Sequence, residues 1–161
     1  LGVVAEGDRL ALDFPSRPPV PREGQVASLA DALGRTPSEA LSSRDLMAVY
    51  EREEDVRDLA PDMRKVAAFD VTGVIATAPG SDCDFVSRFF APAFGIPEDP
   101  VTGSAHCTLV PYWARHLGKT TLRARQISPR GGELFCELRG DRVAIAGRAV
   151  KYLEGEITIP G

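Results

Sequence analysis

The sequence predicts an α+β fold in which a curved, mostly antiparallel sheet or half-barrel wraps around a central helix at about residues 103–117. Two observations predict this class. Short apolar segments with strand-like alternation or β-branched residues outnumber the helical segments and are mixed with them along the chain. The segment 103–117 is apolar over much of its surface, which is typical of a buried helix rather than a surface helix.

The first half of the chain predicts strands and helices that are separated by prolines and glycines. In chain order, we predict a strand over 9–14, a proline-rich connector over 15–21, a helix over 25–33, a strand over 46–50 and a helical region over 56–69. The connector holds four prolines, too many for a helix or a central strand, and is a candidate domain boundary. Gly34 suits the end of the first helix, and Pro61 suits the start of another.

The second half predicts one helix among strands. We predict the helix over 103–117 and strands over 71–78, 85–90, 121–126, 134–138, 142–150 and 151–159. Residues 139–141, which read Arg-Gly-Asp, predict a tight hairpin between two of these strands. Pro111 lies inside the predicted helix, so we expect the helix to kink or to re-start there.

The composition is that of a globular domain without a basic surplus. The 161 residues are 43% hydrophobic and 26% charged, with 19 Lys and Arg against 23 Asp and Glu and a net charge of −4. This balance argues against nucleic acid and anionic membranes as partners, and no apolar run reaches the roughly 20 residues that span a bilayer. The three cysteines form no CxxC pair, so we expect reduced thiols, no metal site and a cytoplasmic location.

The clearest chemical pattern is the segment Glu98–Ala105, in which two acids and a proline precede the start of the predicted helix. The backbone N–H groups of Gly103, Ser104 and Ala105 point out of a helix N-terminus, where the helix dipole favours an anion. Asp99 is placed to handle a proton or to hold a polar group of a ligand. The same residue types also form ordinary helix caps, and this structural alternative stays open.

The run from Gly95 to His106 resembles the EDPATGSA signature of the phenazine-biosynthesis PhzF-like family, whose members share the diaminopimelate-epimerase fold. Within the eight signature residues, only Val101 differs from the usual alanine. Further segments resemble family segments in the same order, namely residues 12–15, 87–92, 126–132 and 147–150. The resemblance therefore covers nearly the whole chain.

The resemblance implies an isomerase that transfers a proton, without a cofactor, on a small carboxylated or amino-acid-like metabolite in a cleft between two similar domains. It implies the following site residues: Asp99 and Ser104 as catalytic residues, and Thr102, Gly103, Ala105 and His106 as substrate-binding residues. Epimerase relatives have a catalytic cysteine at the position of Asp99. The aspartate therefore favours the PhzF branch over epimerisation by two thiols.

The resemblance also implies a domain division. We expect residues 1–15 to be the end strand of a missing or truncated first domain, 16–150 to be the second PhzF-like domain, and 151–161 to return as a strand toward the first. In the family, the glutamate that acts as acid and base lies on the first domain, upstream of the connector. We therefore expect a fragment that needs a companion N-terminal half or forms a homodimer. The alternative is a non-catalytic binding or interaction module of the same fold.

Other polar residues have both a functional and a structural interpretation. His106 is either a ligand contact or a structural histidine, and the structural role is the more common one for such a residue. Cys107 suits the core. Cys83, flanked by Asp82 and Asp84, suits a solvated turn better than a metal site. The turn 130–132 is either a plain hairpin or a place where backbone amides bind an anion.

Overall fold

The computed structural model describes residues 2–150, 152–156 and 158, which form one ten-stranded sheet with four α-helices. The strands are Val3–Glu6 (β1), Arg9–Pro15 (β2), Val20–Pro21 (β3), Glu39–Ser42 (β4), Leu46–Val49 (β5), Val74–Pro79 (β6), Phe85–Phe90 (β7), Thr121–Gln126 (β8), Gly132–Arg139 (β9) and Arg142–Arg148 (β10). The helices are Gln25–Leu33 (α1), Glu53–Arg57 (α2), Met63–Ala67 (α3) and Gly103–Leu117 (α4).

The strands follow the order β1-β2-β10-β9-β8-β7-β6-β5-β4-β3, so β1 and β3 are the edges of an open sheet. Neighbouring strands are antiparallel except for the pairs β5 with β6 and β7 with β8. Each parallel pair needs a crossover connection, and α2, α3 and α4 lie in these crossovers. The predicted α+β class with a mostly antiparallel sheet is confirmed.

Side chains of successive strand residues divide between two apolar cores. In β5, Met47 and Val49 belong to the core that contains α4, while Leu46 and Ala48 belong to the core that contains α1, α2 and α3. Because helices cover both faces, β5 is apolar throughout and β6 carries Thr77 as its one polar residue, so neither strand alternates with exposed polar residues.

Helix α4 is buried against the sheet, as its sequence predicts. The Trp113 indole lies parallel to the Phe85 ring with centroids 5.7 Å apart, and its Nε1–H donates to Thr77 Oγ1 at 3.0 Å. Both Trp113 and Phe85 are almost fully buried. The indole therefore combines apolar burial with a satisfied polar group, which is the favourable way to bury tryptophan.

Pro111 does not divide α4, which runs from Gly103 to Leu117 as one element. Proline has no N–H, so the carbonyl of Cys107 one turn earlier lacks its usual helical donor. The backbone N–H of Arg17, in the proline-rich connector, donates to this carbonyl at 2.8 Å. The predicted re-start is wrong because a neighbouring segment replaces the missing hydrogen bond.

The predicted helical region over 56–69 is wrong as a single element, because it contains the end of α2 and all of α3 with Asp58–Asp62 between them. Pro61 prevents a continuous helix, since it lacks an N–H and keeps the preceding residue extended. The Asp62 carboxylate then caps α3 by accepting from the N–H groups of Arg64 and Lys65.

Two further segments differ from expectation. β4, a four-residue strand that pairs with β3 and β5, is not predicted by the sequence pattern. The predicted last strand over 151–159 has no regular structure at residues 152–156 and 158, and its other positions lie outside the described residues. By contrast, the hairpin of β9 and β10 forms as predicted, with Gly140 at a positive φ of 63° in the turn.

Among the described residues, no helix combines the length and the apolar character that crossing a membrane demands.

Candidate functional site

The signature segment, which we define as residues 98–105, forms the loop after β7 and the first residues of α4. The backbone N–H of Asp99 donates to the carbonyl of Phe89 in β7 at 2.9 Å. The Glu98 carboxylate accepts from Nε and Nη2 of Arg88, at 2.8 and 2.9 Å. The loop is therefore held against β7 through both its backbone and a two-pronged ion pair.

The Asp99 carboxylate lies next to the Thr102 hydroxyl, whose Oγ1 donates to Asp99 Oδ2 at 2.5 Å. Gln126, the last residue of β8, contacts both residues and is only 1% exposed. Its Oε1 accepts from the Thr102 N–H at 2.8 Å, and its Nε2 donates to the Asp99 carbonyl at 2.7 Å. Gln126 therefore fixes the backbone on both sides of the turn that presents Asp99.

Thr102 stands at the N-cap of α4 without capping it through its side chain. Its hydroxyl proton goes to Asp99 instead. The N–H groups at the start of α4, at the partly exposed Gly103 and Ser104, thus receive no bond from the Thr102 side chain. Uncapped amides at the positive end of a helix suit an anionic ligand group. The ordinary capping alternative does not describe Thr102 in this helix.

The Ser104 hydroxyl is polarised by a residue that the sequence analysis missed. Arg44 Nη2, in the turn between β4 and β5, donates to Ser104 Oγ at 2.8 Å and to Asp45 Oδ2 at 3.2 Å. Asp45 is fully buried, and this burial raises its pKa despite the adjacent Arg44 charge. Because the Ser104 oxygen accepts from a cation, its own proton is a stronger donor. The contact joins positions 60 apart, so no local pattern indicates it.

His106 lies in the core and not on a ligand-accessible surface. It is fully buried, its Nδ1 is 2.8 Å from the Thr102 carbonyl, and its ring lies 5.9 Å from the Phe85 ring. Burial lowers the pKa of His106 to about 4, although the bond to the Thr102 carbonyl opposes this effect. The neutral ring therefore donates from Nδ1 to that carbonyl. This geometry favours the structural interpretation of His106. Ala105 is also buried, so only its backbone amide suits a ligand.

A pocket of about 500 Å³ adjoins the signature segment. Its walls come from three strands and two turns and are mainly apolar. They include Leu12, Phe14, Val101, Gly103, Arg130 and Leu134. Among the signature residues of the described chain, Val101 and Gly103 line this pocket, whereas Asp99 and Ser104 lie outside its wall. The structure thus brings the helix start to a pocket, while the two catalytic candidates are not part of its wall.

The cysteine flanked by two acids has no metal-site geometry. Asp82 pairs with Arg125 and Asp84 pairs with Lys119, while burial, followed by the Asp82 charge, raises the pKa of Cys83 to about 11. A protonated thiol is a poor metal ligand. Over the described residues as a whole, no group of three or more His, Cys, Asp and Glu side chains is arranged to hold a metal ion.

Comparison with solved structures identifies the class of protein that this fold and site define. A crystal structure of a phenazine biosynthesis protein of the PhzF family from Enterococcus faecalis matches with a TM-score of 0.86 and 43% identity, over 98% of this chain and 60% of that one. The fold is thus the PhzF-like, diaminopimelate-epimerase-like α+β fold. Residues 17–155 also match the family described as phenazine biosynthesis-like protein, PhzC-PhzF. The chain belongs to this family.

The relatives in sequence carry isomerase names. Two Pseudomonas aeruginosa proteins named as uncharacterized isomerases are 52% identical over 99% of this chain and 45% identical over 98% of it. The chain spans 61% and 60% of the lengths of these two relatives. The family resemblance read from the signature is confirmed, and with it a relationship to PhzF-like isomerases in general.

Proposed function

We propose that the chain supplies one wall of an isomerase site that transfers a proton, without a cofactor, on a small carboxylated or amino-acid-like metabolite. The observation that carries this proposal is the arrangement around the start of α4. The Asp99 carboxylate is fixed by the Thr102 hydroxyl at 2.5 Å, next to helix amides that the Thr102 side chain does not cap. Such a site combines a group that can handle a proton with one that can hold an anion.

The proposal assigns a role to each candidate residue. Asp99 handles a proton or holds a polar group at the reacting centre. Ser104, which accepts from Arg44 at 2.8 Å, donates its own proton to the substrate. The amides of Gly103 and Ala105 bind an anionic oxygen, because the positive end of the α4 dipole lies there. The second acid or base faces this wall from another part of the assembled protein, either a further domain or the second subunit of a cytoplasmic homodimer.

Solvent-deuterium incorporation tests the proposal. The native protein that carries this chain is incubated in D₂O with a panel of carboxylated and amino-acid-like metabolites, and exchange is followed by NMR and mass spectrometry. Asp99→Asn keeps the acceptor for Thr102 but removes the charge, so we expect exchange to fall by about 100-fold or more. Asp70→Asn, at an exposed aspartate, is the matched control and retains exchange.

The two possible roles give different results. Exchange that persists at the wild-type rate in Asp99→Asn contradicts the role of Asp99. Saturable binding of a metabolite with no exchange in the native protein contradicts the isomerase and supports the non-catalytic binding module.

A further inference from the structure

The turn 128–132 is built against the signature segment. Ser128, which is 8% exposed, donates from its hydroxyl to the Pro100 carbonyl at 2.8 Å and accepts from the Gly131 N–H at 3.0 Å. A single side chain therefore joins the turn to the loop that carries Asp99. These two hydrogen bonds restrict the conformation of the turn much more than a solvated hairpin requires.

Two glycines in the turn complete this fit. Gly131 has a φ of 68°, a conformation that costs glycine little and other residues more. A Cβ on Gly132 would lie 2.4 Å from Cγ2 of Val101, so the backbone approaches the signature more closely than any side chain allows. The turn thus holds Arg130, between Ser128 and these glycines, at a fixed place beside the signature.

Arg130 stands between two adjoining pockets, the 500 Å³ pocket described above and a more polar one of about 640 Å³. The other arginines that line them are Arg57, Arg123, Arg125 and Arg148, and each pairs with a carboxylate of Glu53, Glu133, Asp82 or Asp8. Arg130 is exposed, and the described residues include no hydrogen-bond or ion-pair partner for its guanidinium. Among the described arginines that line these two pockets, it is the one whose charge is not already matched.

We infer that Arg130 is a specificity-determining residue that binds the anionic group of the ligand in the 500 Å³ pocket. The apolar wall of Leu12, Phe14 and Leu134 accepts the body of such a ligand, and Arg130 at the rim forms a two-pronged contact with a carboxylate. The ligand class is therefore a small carboxylate with an apolar body. This inference rests on the proposed function, since it assigns the pocket beside the signature to the substrate.

Titration with benzoate and with neutral benzamide, which share a ring and differ in charge, tests the inference on this chain. Binding is followed through the amide NMR shifts of Gly103, Gly131 and Gly132. We expect benzoate to bind more tightly than benzamide, and Arg130→Gln to weaken benzoate binding about tenfold while benzamide binding stays unchanged. Arg130→Lys weakens benzoate binding less than Arg130→Gln does, because lysine keeps the positive charge. Arg64→Gln, at an exposed arginine of α3, is the matched control.

Three results overturn the inference: no saturable benzoate shifts in the wild type, equal binding of benzoate and benzamide, or unchanged benzoate binding in Arg130→Gln. These results can be distinguished from a failure of the proposed function, which the deuterium-exchange experiment tests. Deuterium exchange that depends on Asp99 supports the isomerase even when benzoate affinity does not depend on Arg130. Conversely, an Arg130-dependent benzoate site without any exchange supports the ligand site and contradicts the isomerase.

Discussion

Gln126 holds Thr102 through both ends of its side-chain amide: Oε1 accepts from the Thr102 N–H at 2.8 Å, and Nε2 donates to Thr102 Oγ1 at 3.1 Å. Gln126→Met keeps the size of the side chain but leaves buried polar groups of the signature loop without partners. We expect a loss of about 3 kcal/mol in the free energy of unfolding, since each such group costs about 1–3 kcal/mol. Urea denaturation measures it. Gln25→Met replaces the other glutamine of the chain and serves as control; equal losses in the two variants contradict the role of Gln126.

The Arg88–Glu98 ion pair links the signature to the end of α2 and to the loop that follows it. The two side chains are only 12% and 13% exposed, and Arg88 Nη1 also donates to the carbonyl of Leu59 at 2.9 Å. Arg88→Met leaves the Glu98 carboxylate unpaired, so we expect about 3 kcal/mol of destabilisation in urea denaturation. Adding Glu98→Met to this variant removes the unpaired charge and recovers part of the loss. A double variant less stable than Arg88→Met argues against the pairing.

The close approach of Gly132 to Val101 gives a compensating pair. Gly132→Ala places a methyl group where Val101 Cγ2 lies, at 2.4 Å, so we expect a loss of about 2 kcal/mol from overpacking. In Val101→Ala/Gly132→Ala the smaller side chain makes room, and the thermal midpoint rises above that of Gly132→Ala alone. Gly155→Ala, where a Cβ meets no atom within 4 Å, is neutral. If the loss in the double variant equals the sum of the losses in Gly132→Ala and Val101→Ala, the contact is refuted.

His106 makes stability depend on pH. Its folded pKa of about 4 lies below its ordinary value of 6.5, so the unfolded chain binds more protons between these values and stability falls as the pH decreases through this window. From about pH 7 to about pH 5 the loss due to His106 is about 2 kcal/mol. His106→Asn keeps a donor for the Thr102 carbonyl without a titrating group. Its denaturation midpoint should therefore vary less with pH; parallel curves for the two proteins exclude this coupling.

The elements with strong local patterns were predictable from the sequence. The bounds of α4, β7 and β8 agree with the predicted segments, because periodic apolar residues and flanking glycines or prolines determine them locally. β4 was not, since four residues of mixed character acquire strand structure by pairing with β3 and β5. The interruption between α2 and α3 depends on Pro61, which the sequence predicts near a helix start and which lies two residues before α3.

The candidate site was predictable only in its backbone. The run 98–105 indicates a helix start with an acid beside it, and the structure has this arrangement. The contact of Arg44 with Ser104 and the burial of His106 depend on side chains that are distant in the chain, so residue types in sequence do not reveal them. The family resemblance supplied site positions, whereas tertiary packing decides which side chains are accessible at those positions.

The ladder between β2 and β10 joins Arg9 to Arg148, nearly the two ends of the described chain. The entropy cost of closing a loop grows with its length, and this pairing encloses almost every other strand. It is therefore expected to form late in folding, after the intervening hairpins and crossovers have brought β9 and β10 into position. β1 and β2 are joined by a short turn, with Glu6 paired to Arg9, so this local hairpin closes at little entropy cost and the two strands add to the edge of the sheet together.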